Sequence, residues 1–530
     1  MPWRRATQGR TAFGEQADGE GAVTGVSASA TPDHAVADHA VADVSTSEIR
    51  TRSVHGSGFV LALQMVRLFV RLGSMVIIAR LLSPADFGLV AMVLPVVAFA
   101  SAFQELGLGA ATVQKASVTF QQISTLFWIN AAASGVLAAL LAVGAPYVAA
   151  FYGNGQLTDI TIAFAGILLV SGLAAQHLAL FRRQMRFVAL SFIDSAAMVT
   201  GVALGLLAAW FGAGFWALVV MNGVEAALRF ILLWIVSGWT PGRPGNWRGV
   251  APMVAFGGNM VASTVIFYVV RHLDNILIGK YWGDIALGLY SRAYNLVLLP
   301  IANITDPVSG IVIAALSRLQ NDPDQYRAYF LRAVCLTASL GMPVAVFCIV
   351  EAELVIGIVF GKQWHDAVPI YTALGPVAIA ATFNSSTYWV YASLGRAERQ
   401  LRWAVIASST FALSFVLGLP YGPIGVGIAY SGAFCLLQLP SLAYCFRGTP
   451  IRLRDFLLMV SVPGLASLAA SGATLAMHRM TTVESPVAAL GIAGTVFSAT
   501  YVAAYLAHPV GRRNLHHIRG ILEELKSRVR

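Results

Sequence analysis

The chain has 530 residues, of which 57% are hydrophobic and 11% are charged, and its mean hydropathy is +0.71. This composition excludes a soluble globular domain, because so few polar side chains could not cover its surface, and it predicts an integral membrane protein. The net charge of +10 would suggest nucleic-acid binding in a soluble protein, but here we expect the basic residues to follow membrane topology, with no nucleic-acid partner.

Residues 1–52 differ in composition from the rest of the chain. They begin with the basic stretch MPWRRATQGR and continue with a polar, alanine-rich stretch that contains a short HAVAD duplication. Such a segment cannot bury an apolar core, so we predict a disordered cytoplasmic tail. It contains no apolar stretch of about 7–15 residues followed by a small-residue cleavage site, and we therefore expect the first membrane span to direct insertion.

Apolar windows of about 20 residues follow this tail at short intervals and predict about fourteen membrane-spanning helices. The predicted spans are 57–82, 84–106, 121–149, 158–181, 188–211, 214–237, 250–279, 286–315, 328–350, 367–394, 401–419, 422–446, 455–477 and 485–507. The predicted fold class is therefore an all-α polytopic membrane protein.

Basic residues are distributed unevenly among the loops between these spans. With the first 52 residues in the cytoplasm, the inward loops contain Lys115, Arg182, Arg183, Arg186, Arg243, Arg248, Arg318, Arg327, Arg396, Arg399, Arg402, Arg447, Arg452 and Arg454. The outward loops contain Arg80, Lys280, Lys362 and Arg479. The excess on one side predicts that both termini are cytoplasmic, which requires an even number of spans.

Span one carries two arginines near its middle. Its polar residues recur at intervals of three and four and share one helical face; they are Gln64, Arg67, Arg71 and Ser74. Arg67 and Arg71 lie roughly ten residues, or about 15 Å, from either end, too far for the guanidinium groups to reach water by snorkelling. A charge at the centre of a membrane helix costs about 3 kcal/mol, so intramembrane arginines indicate a site for an anionic substrate.

Spans five and six also contain charged residues. Span five carries Asp194 between Ser191 and Ser195, and Asp194 is a candidate for cation coupling or for pairing with an arginine. In span six, Glu225 and Arg229 are four residues apart, in the orientation that favours an ion pair within one helix. We therefore assign this pair a structural role.

Spans seven and eight resemble span one in their polar residues. On span seven, Asn259, Ser263, Arg271 and Asp274 share a face, and Asp274 is a second candidate for coupling or pairing. Span eight carries Arg292, Asn295, Asn303 and Asp306. Arg292 lies near the outer end of its span, where snorkelling to the surface is an alternative to a role in the cavity.

The candidate substrate-binding residues are thus Gln64, Arg67, Arg71, Asn259, Arg271, Asp274 and Arg292. In the alternative interpretation, Arg71 or Arg271 pairs with an intramembrane acid and only holds helices together. The available acids are Asp194, Asp274 and Glu105.

The two halves of the chain contain an internal repeat. Residues 71–90 and 271–290 align without a gap, and the aligned pairs include Arg71 with Arg271, Ile78 with Ile278, Arg80 with Lys280, and Gly88 with Gly288. A second pair of matching sequences, RQMRF at 183–187 and RQLRW at 399–403, ends loops that are also six predicted spans apart.

Because six is an even number, the two repeats have the same orientation in the membrane. They predict two lobes related by a pseudo-twofold axis along the membrane normal, with the binding site between them. Arg71 and Arg271 would then approach this site from opposite sides. Two guanidinium groups in one cleft suit a diphosphate, whose oxygens accept forked hydrogen bonds.

Residues 512–530 predict a cationic amphipathic helix. We expect it to lie on the anionic inner leaflet, with partner binding as the alternative. The predicted organisation comprises the disordered cytoplasmic tail (1–52), an N-terminal six-helix lobe (53–240), a C-terminal six-helix lobe (241–447), two additional transmembrane helices (448–508) and a cationic amphipathic cytoplasmic tail (509–530).

Motifs for covalent chemistry are missing from the sequence. It contains no GxxxxGK[ST] motif for ATP, and its four cysteines lie in apolar runs without the paired spacing of a metal site. The longest outward loop, 351–366, is too short for a catalytic domain. We therefore expect a transporter rather than an enzyme, with no cofactor, no metal and no catalytic residue.

The segment IIARLLSPADFGLVAMVLPVVAFASAFQELGLGAATVQ, residues 77–114, resembles the polysaccharide transporter family, in particular the Wzx-type flippases of the colanic-acid exporter branch. The residues that carry the resemblance are Arg80, Leu81, Leu82, Ser83, Pro84, Asp86, Phe87 and Gly88, followed by Leu106, Gly107, Leu108 and Gly109. The sequences TLFWIN at 125–130 and RRQMRF at 182–187 are similar as well, and the resemblance covers residues 57 to about 450.

This family belongs to the multidrug, oligosaccharidyl-lipid and polysaccharide exporter superfamily. The resemblance implies a bacterial inner-membrane protein with two six-helix lobes around a central cationic cavity and two added C-terminal helices. It also implies the function, which is to move an undecaprenyl-pyrophosphate-linked oligosaccharide across the membrane by alternating access for exopolysaccharide or lipopolysaccharide biosynthesis. The implied partners are this lipid-linked oligosaccharide, the lipid bilayer, and the polysaccharide polymerase and export machinery.

Two other function classes are weighed against the flippase. A cation-coupled multidrug exporter of the same superfamily would use acids such as Asp194 or Asp274 as cation sites, but the intramembrane arginines oppose a cavity for organic cations. A membrane glycosyltransferase or ligase would need an outer catalytic loop, which the sequence lacks.

Overall fold

The computed structural model of the chain describes residues 57–104, 108–115, 118–246, 250–251, 253–254, 271–481, 483–509 and 511–512. These residues form helices joined by short turns. The helices are α1 (Ser57–Leu81), α2 (Pro84–Gln104), α3 (Leu108–Gln114), α4 (Phe120–Tyr152), α5 (Gln156–Arg183), α6 (Phe187–Trp210), α7 (Trp216–Ser237), α8 (Leu273–Arg318), α9 (Pro323–Val350), α10 (Ala352–Val359), α11 (Ala367–Ala373), α12 (Gly375–Ser393), α13 (Ala397–Gly418), α14 (Gly422–Phe446), α15 (Leu453–Met480) and α16 (Pro486–Ala507).

Most of these helices are long and apolar enough to cross a membrane. The described residues contain eleven such stretches, and the bent pair of α11 and α12 forms a twelfth. One stretch, Ala397–Phe446, contains the two helices α13 and α14 in succession. The predicted all-α polytopic fold is therefore confirmed. Most of the predicted seventh span, the predicted tail 1–52 and all of the predicted tail 509–530 except residues 509, 511 and 512 lie outside the described residues.

The helices depart from the predicted spans at three places. α8 continues through the predicted loop between spans seven and eight, with a kink at Gly283, where a φ of 84° is accessible to glycine without strain. α11 and α12 meet at a bend of 42°, at the point where Pro376 starts α12. The predicted outer loop 351–366 is largely helical, because it contains α10 and the 3₁₀ turn Lys362–Trp364.

The helices pack into two lobes and one additional pair. In the N-terminal lobe α4 packs on α5, and α6 packs on both α7 and α1; in the C-terminal lobe α8 packs on α9 and α12, and α13 packs on α14. α15 and α16 pack on each other and join the C-terminal lobe through α9. There the Tyr501 hydroxyl donates to the Ser339 carbonyl at 2.8 Å, and His478 Nε2 lies 2.8 Å from Glu351 Oε1.

The two lobes meet where α2 packs along α8. Gly88 lies against the backbone carbonyl of Asp284, and Gly288 lies against the carbonyl of Pro84, so closely that a Cβ atom at either glycine would overlap that carbonyl. Pro84 and Asp284 occupy equivalent positions in the internal repeat, as the two glycines do. The contact is therefore reciprocal, as a pseudo-twofold axis between the lobes requires.

Two basic residues make a second pair of reciprocal contacts nearby. Arg80, near the end of α1, donates from Nη2 to the carbonyl of Ile358 in the last turn of α10. Lys280, its equivalent in the repeat, donates from Nζ to the carbonyl of Phe151 in the last turn of α4. Each cation thus binds the C-terminus of a helix in the other lobe, where the helix dipole favours positive charge.

The segment 351–366 completes this contact region, which comprises residues 79–88, 280–288 and 351–366 and is called the closed end below. Trp364 is fully buried and donates from Nε1 to the Ala79 carbonyl at 2.8 Å. Its ring also packs edge-on against Phe87, with the ring centroids 5.3 Å apart. The segment 351–366 of one lobe therefore binds the end of α1 in the other.

The buried surface that the lobes share lies along α2 and α8 and at the closed end. One large buried cluster includes residues of both lobes, such as Val90 of α2 and Leu289 of α8. Each of the other buried clusters of the described residues belongs to a single lobe and its attached helices, apart from one in which Val250 and Met253 pack on Leu126. This arrangement leaves space between the lobes.

Candidate functional site

A cavity of about 330 Å³ lies between the lobes. Its lining consists of Gln64, Arg67, Leu68 and Arg71 from α1, Asp194 and Met198 from α6, Glu225 and Arg229 from α7, and Asn303 from α8. Three helices of the N-terminal lobe and one helix of the C-terminal lobe thus form its walls. Because charged groups inside a membrane are costly, such a concentration of them is typical of a functional cavity.

The α1 residues reach the cavity because their spacing places them on one helical face. Gln64, Arg67 and Arg71 all line it, as the sequence predicts. Ser74, the next residue of that face, does not; its hydroxyl donates to the Arg71 carbonyl within α1 at 3.0 Å. The predicted grouping of the three residues therefore agrees with the structure, and their contact with a substrate stays a prediction.

Asp194 lies at the centre of the charge arrangement in this cavity. Its Oδ1 lies 2.9 Å from Nε of Arg229, and its Oδ2 lies 3.7 Å from Nη1 of Arg67. The carboxylate therefore connects α6 to both α7 and α1. The structure corrects the prediction that Arg229 pairs with Glu225 within α7, because the packing of α6 on α7 presents the Asp194 carboxylate directly to the guanidinium group.

Close packing of α6 and α7 allows this ion pair to form. Gly201 lies about two turns beyond Asp194 on α6. A Cβ atom at Gly201 would be 2.7 Å from the carbonyl oxygen of Met221 and 3.0 Å from Cβ of Glu225 on α7. Small residues let membrane helices approach each other closely, so Gly201 helps to set the distance over which Asp194 reaches Arg229.

Arg71 is a cavity arginine without an ion pair to any residue that the structure describes. Among the described residues, no carboxylate oxygen lies within 4 Å of its guanidinium group, and its side chain is exposed. Glu225 is the second acid that lines the cavity. The lining thus holds three guanidinium groups and two carboxylates, which is a formal excess of one positive charge. Guanidinium groups can bind phosphate oxygens through forked, charge-assisted hydrogen bonds.

Two predicted cavity residues on α8 lie elsewhere in this conformation. Asp274 is buried, and its Oδ2 accepts a hydrogen bond from the Tyr290 hydroxyl at 3.0 Å. Arg292 lies over the ring of Phe87, 4.1 Å from its centroid, and so belongs to the contact between the lobes instead of snorkelling to the surface. The position of Arg292 follows from the packing of α2 on α8, which brings Phe87 over this part of the helix.

Arg271 and Asn259 belong to the predicted seventh span. Arg271 is exposed near Tyr294 and Tyr430 and does not line the cavity. Asn259 lies outside the described residues. The diphosphate site formed jointly by Arg71 and Arg271 therefore stays a prediction, whereas Arg67, Arg71 and Arg229 are brought together by the structure.

Sequence reasoning missed Arg229 and Glu225 as cavity residues. The signal that could have identified them is their position, since both are charged residues near the middle of a predicted span. Their spacing of four residues obscured this signal, because two opposite charges at this spacing are also explained by an ion pair within one helix. Asn303 could not be placed, because the rotation of the 46-residue α8 about its axis depends on its contact with α2.

Two proteins that are similar to this chain are named for lipopolysaccharide and teichuronic acid biosynthesis. The chain is 21% identical over 426 residues to the lipopolysaccharide biosynthesis protein WzxC of Escherichia coli (strain K12), covering 79% of this chain and 86% of WzxC. It is 26% identical over 328 residues to the teichuronic acid biosynthesis protein TuaB of Bacillus subtilis (strain 168), covering 62% of this chain and 68% of TuaB.

The fold is also similar to that of a solved membrane protein. The lipid II flippase MurJ in an inward closed conformation matches with a TM-score of 0.66 and 15% sequence identity, over 84% of this chain and 98% of MurJ. At this identity the similarity concerns the fold alone. Residues 77–369, more than half of the chain, match the family described as polysaccharide biosynthesis protein. The chain therefore belongs to the polysaccharide biosynthesis protein family.

Proposed function

We propose that the protein is a flippase that moves an undecaprenyl-pyrophosphate-linked oligosaccharide across the bacterial cytoplasmic membrane for exopolysaccharide or lipopolysaccharide biosynthesis. The observation that carries the proposal is the group of three arginines, Arg67, Arg71 and Arg229, in a cavity between two lobes. The family supports a cargo of this class, because WzxC and TuaB are named for polymer biosynthesis, and the similar fold of MurJ is that of a lipid II flippase.

The diphosphate of the cargo would bind where the guanidinium groups converge. Arg71, which has no ion pair within 4 Å among the described residues, is available for the first contact. Gln64 and Asn303 line the same cavity and can donate hydrogen bonds to phosphate or sugar oxygens. The lipid tail would remain in the bilayer, since only the charged and sugar parts require a polar path. No covalent bond changes in this process.

The arrangement of the lobes supports alternating access to this cavity. The lobes are joined along α2 and α8 and at the closed end, and the next two buried clusters of the described residues each belong to one lobe and its attached helices. If both termini are cytoplasmic, as the basic loop residues predict, the closed end faces the outside. The structure then corresponds to the state that takes up cargo from the inner leaflet. Polymerase and export machinery would use the delivered unit.

A multidrug exporter of the same superfamily is the competing proposal. Its organic cations would meet a lining with a formal excess of positive charge. Like charges repel most strongly where water is partly excluded. The cavity therefore favours an anionic cargo over a cationic one.

Leaflet accessibility of the lipid-linked repeat unit tests the proposed function. Membrane vesicles would be prepared from cells with and without the protein, in a strain that has no second flippase for this unit. The complete unit should accumulate on the cytoplasmic face without the protein, and also with the Arg71→Ala variant. Arg402→Ala is the matched control, because Arg402 pairs with Glu398 on an exposed helix surface and should not affect delivery. Normal outer-leaflet delivery without the protein would contradict the proposal.

A further inference from the structure

Asp194 is an unexpected residue at the centre of an anion-binding cavity. Arg67 and Arg229 would attract an anion most strongly if they were unpaired, yet both lie beside this carboxylate, at 3.7 and 2.9 Å. The Arg67 and Asp194 side chains are 28% and 24% exposed, so the pair borders the cavity and is not sealed in the protein interior. An entering ligand can therefore reach all three groups.

A carboxylate and a phosphate group present the same kind of acceptor to a guanidinium group. Both bind through charge-assisted hydrogen bonds from the nitrogens of arginine. We propose that Asp194 is a resident counter-anion, which binds Arg67 and Arg229 while the cavity is empty and releases them when the diphosphate of the cargo binds. This inference rests on the proposed function and adds to it a residue that determines which anions can enter.

Asp194 also stabilises the cavity when no cargo is bound. Two unpaired guanidinium groups near the middle of a membrane are unfavourable, and a carboxylate between them reduces that cost when no cargo is bound. An empty carrier can then change conformation without a ligand, which a flippase must do after each delivery. Glu225 does not have this role, since no ion pair within 4 Å joins it to an arginine in the described part of the chain.

The same competition selects among anions. A ligand must replace the Asp194 carboxylate at Arg67 and Arg229, and a diphosphate can do so while a second phosphate binds Arg71. A monophosphate has fewer oxygens and less negative charge, so it replaces the Asp194 carboxylate less readily. Asp194 should therefore favour a lipid diphosphate over a lipid monophosphate.

Binding of two soluble short-chain probes, farnesyl diphosphate and farnesyl monophosphate, tests this inference on the purified full-length protein. The variants are Asp194→Asn, which keeps the shape but removes the charge, and Glu225→Gln, which removes a charge from the same cavity. Asp194→Asn should bind the diphosphate about tenfold more tightly than the wild type, since a charged competitor is lost. Its affinity for the monophosphate should increase by a larger factor. Glu225→Gln should show a much smaller increase in affinity for both probes. Asp194→Ser is measured in parallel and must show the same direction.

Three results would overturn the inference. If Asp194→Asn and Asp194→Ser bind the diphosphate no more tightly than the wild type, Asp194 only positions the arginines. If Glu225→Gln gains as much affinity, the effect is one of overall charge. In either case, weaker binding by Arg71→Ala would leave the proposed function intact. Absence of binding to the wild type and to every variant would overturn the inference together with the proposed anion site.

Discussion

Arg71 is the guanidinium group of the cavity that remains available to a ligand. Arg67 and Arg229 each lie beside the Asp194 carboxylate, whereas no carboxylate of the described residues lies within 4 Å of Arg71. An unpaired charge inside a membrane is energetically unfavourable, and packing alone does not offset its cost. We therefore assign Arg71 the first contact with an anionic headgroup.

Substitutions of Arg71 distinguish the effect of its charge from the effect of its planar hydrogen-bonding geometry. Arg71→Ala should lower the rate of glycan export about tenfold or more, because it removes charge-assisted hydrogen bonds to phosphate. Arg71→Lys should give an intermediate rate, because an ammonium group keeps the charge but lacks the planar fork. Export is measured at equal protein abundance, with Arg402→Ala as the control. A wild-type rate for Arg71→Ala would show that this residue does not bind the cargo.

Arg271→Ala tests the residue that the internal repeat pairs with Arg71. If the two arginines clamp one diphosphate, as the sequence predicts, this variant should impair export as strongly as Arg71→Ala. If Arg271 acts only near Tyr294 and Tyr430, where the structure places it, export should be affected less. The same vesicle assay measures both variants, and equal abundance in the membrane is the control for folding.

Residue spacing predicted part of the cavity and misassigned another part. Gln64, Arg67 and Arg71 were identified because one helix fixes their relative directions. Arg229 was assigned to Glu225 because the same rule describes only contacts within a helix. Its actual partner is Asp194, which lies on α6, and no local pattern specifies how two membrane helices face each other.

At the scale of the element, hydropathy predicted most helices well. Apolar length determines where a chain can cross a membrane, because the backbone there must form its hydrogen bonds within the helix. Hydropathy could not predict the kink at Gly283, the bend before Pro376 or the helical structure of 351–366. These features depend on contacts between helices, such as the burial of Trp364 against Phe87.

The contact between α6 and α7 can be tested through its glycine. Gly201→Ala would place a methyl group 2.7 Å from the carbonyl oxygen of Met221, so the helices must separate. We expect a loss of about 1–3 kcal/mol in stability. We also expect tighter diphosphate binding, because Asp194 and Arg229 move apart and the carboxylate then competes less for that guanidinium group. Both are measured on purified protein, by thermal unfolding and by titration with farnesyl diphosphate.

The control for this change is Gly166→Ala on α5. Gly166 is exposed, and a Cβ atom there would meet nothing within 4 Å. Alanine is favoured over glycine in a helix by up to about 1 kcal/mol, so this variant should be as stable as the wild type or more stable. Equal stability losses in the two variants would mean that contact with α7 is not the cause.

At the scale of the whole molecule, the closed end determines which side of the membrane the cavity can reach. Its contacts occur in symmetric pairs. Gly88 and Gly288 each pack against a backbone carbonyl of the other lobe, and Arg80 and Lys280 each donate to one. The internal repeat predicted a pseudo-twofold arrangement, but which residues would meet across the axis could not be predicted, since that depends on the conformation. Opening this end requires both pairs of contacts to break together.

Removal of the two cations should shift the protein toward a state that is open at this end. Each cation binds a helix C-terminus, an interaction of about 0.3–1 kcal/mol, so Arg80→Gln with Lys280→Gln should raise the open population severalfold. The readout is labelling of Ala91→Cys, a buried position, by an impermeant maleimide in a variant whose four native cysteines are replaced by alanine.

Lys362→Gln is the control for this experiment, because it removes a positive charge from the closed end without removing either reciprocal contact. Its labelling should equal that of the Ala91→Cys parent. If the double substitution also leaves labelling unchanged, Arg80 and Lys280 do not hold the lobes together.

The reciprocal glycine contact has a further consequence for how such a chain could arise. In a symmetric dimer, residue i of one subunit meets residue j of the other, and residue j of the first meets residue i of the second. Gly88 and Asp284 stand in this relation to Gly288 and Pro84. The closed end is thus organised as an isologous subunit interface within one polypeptide. Duplication and fusion of the gene for a half-size dimer would preserve such an interface, whereas residues on the cavity wall, such as Asp194, could diverge separately in each half.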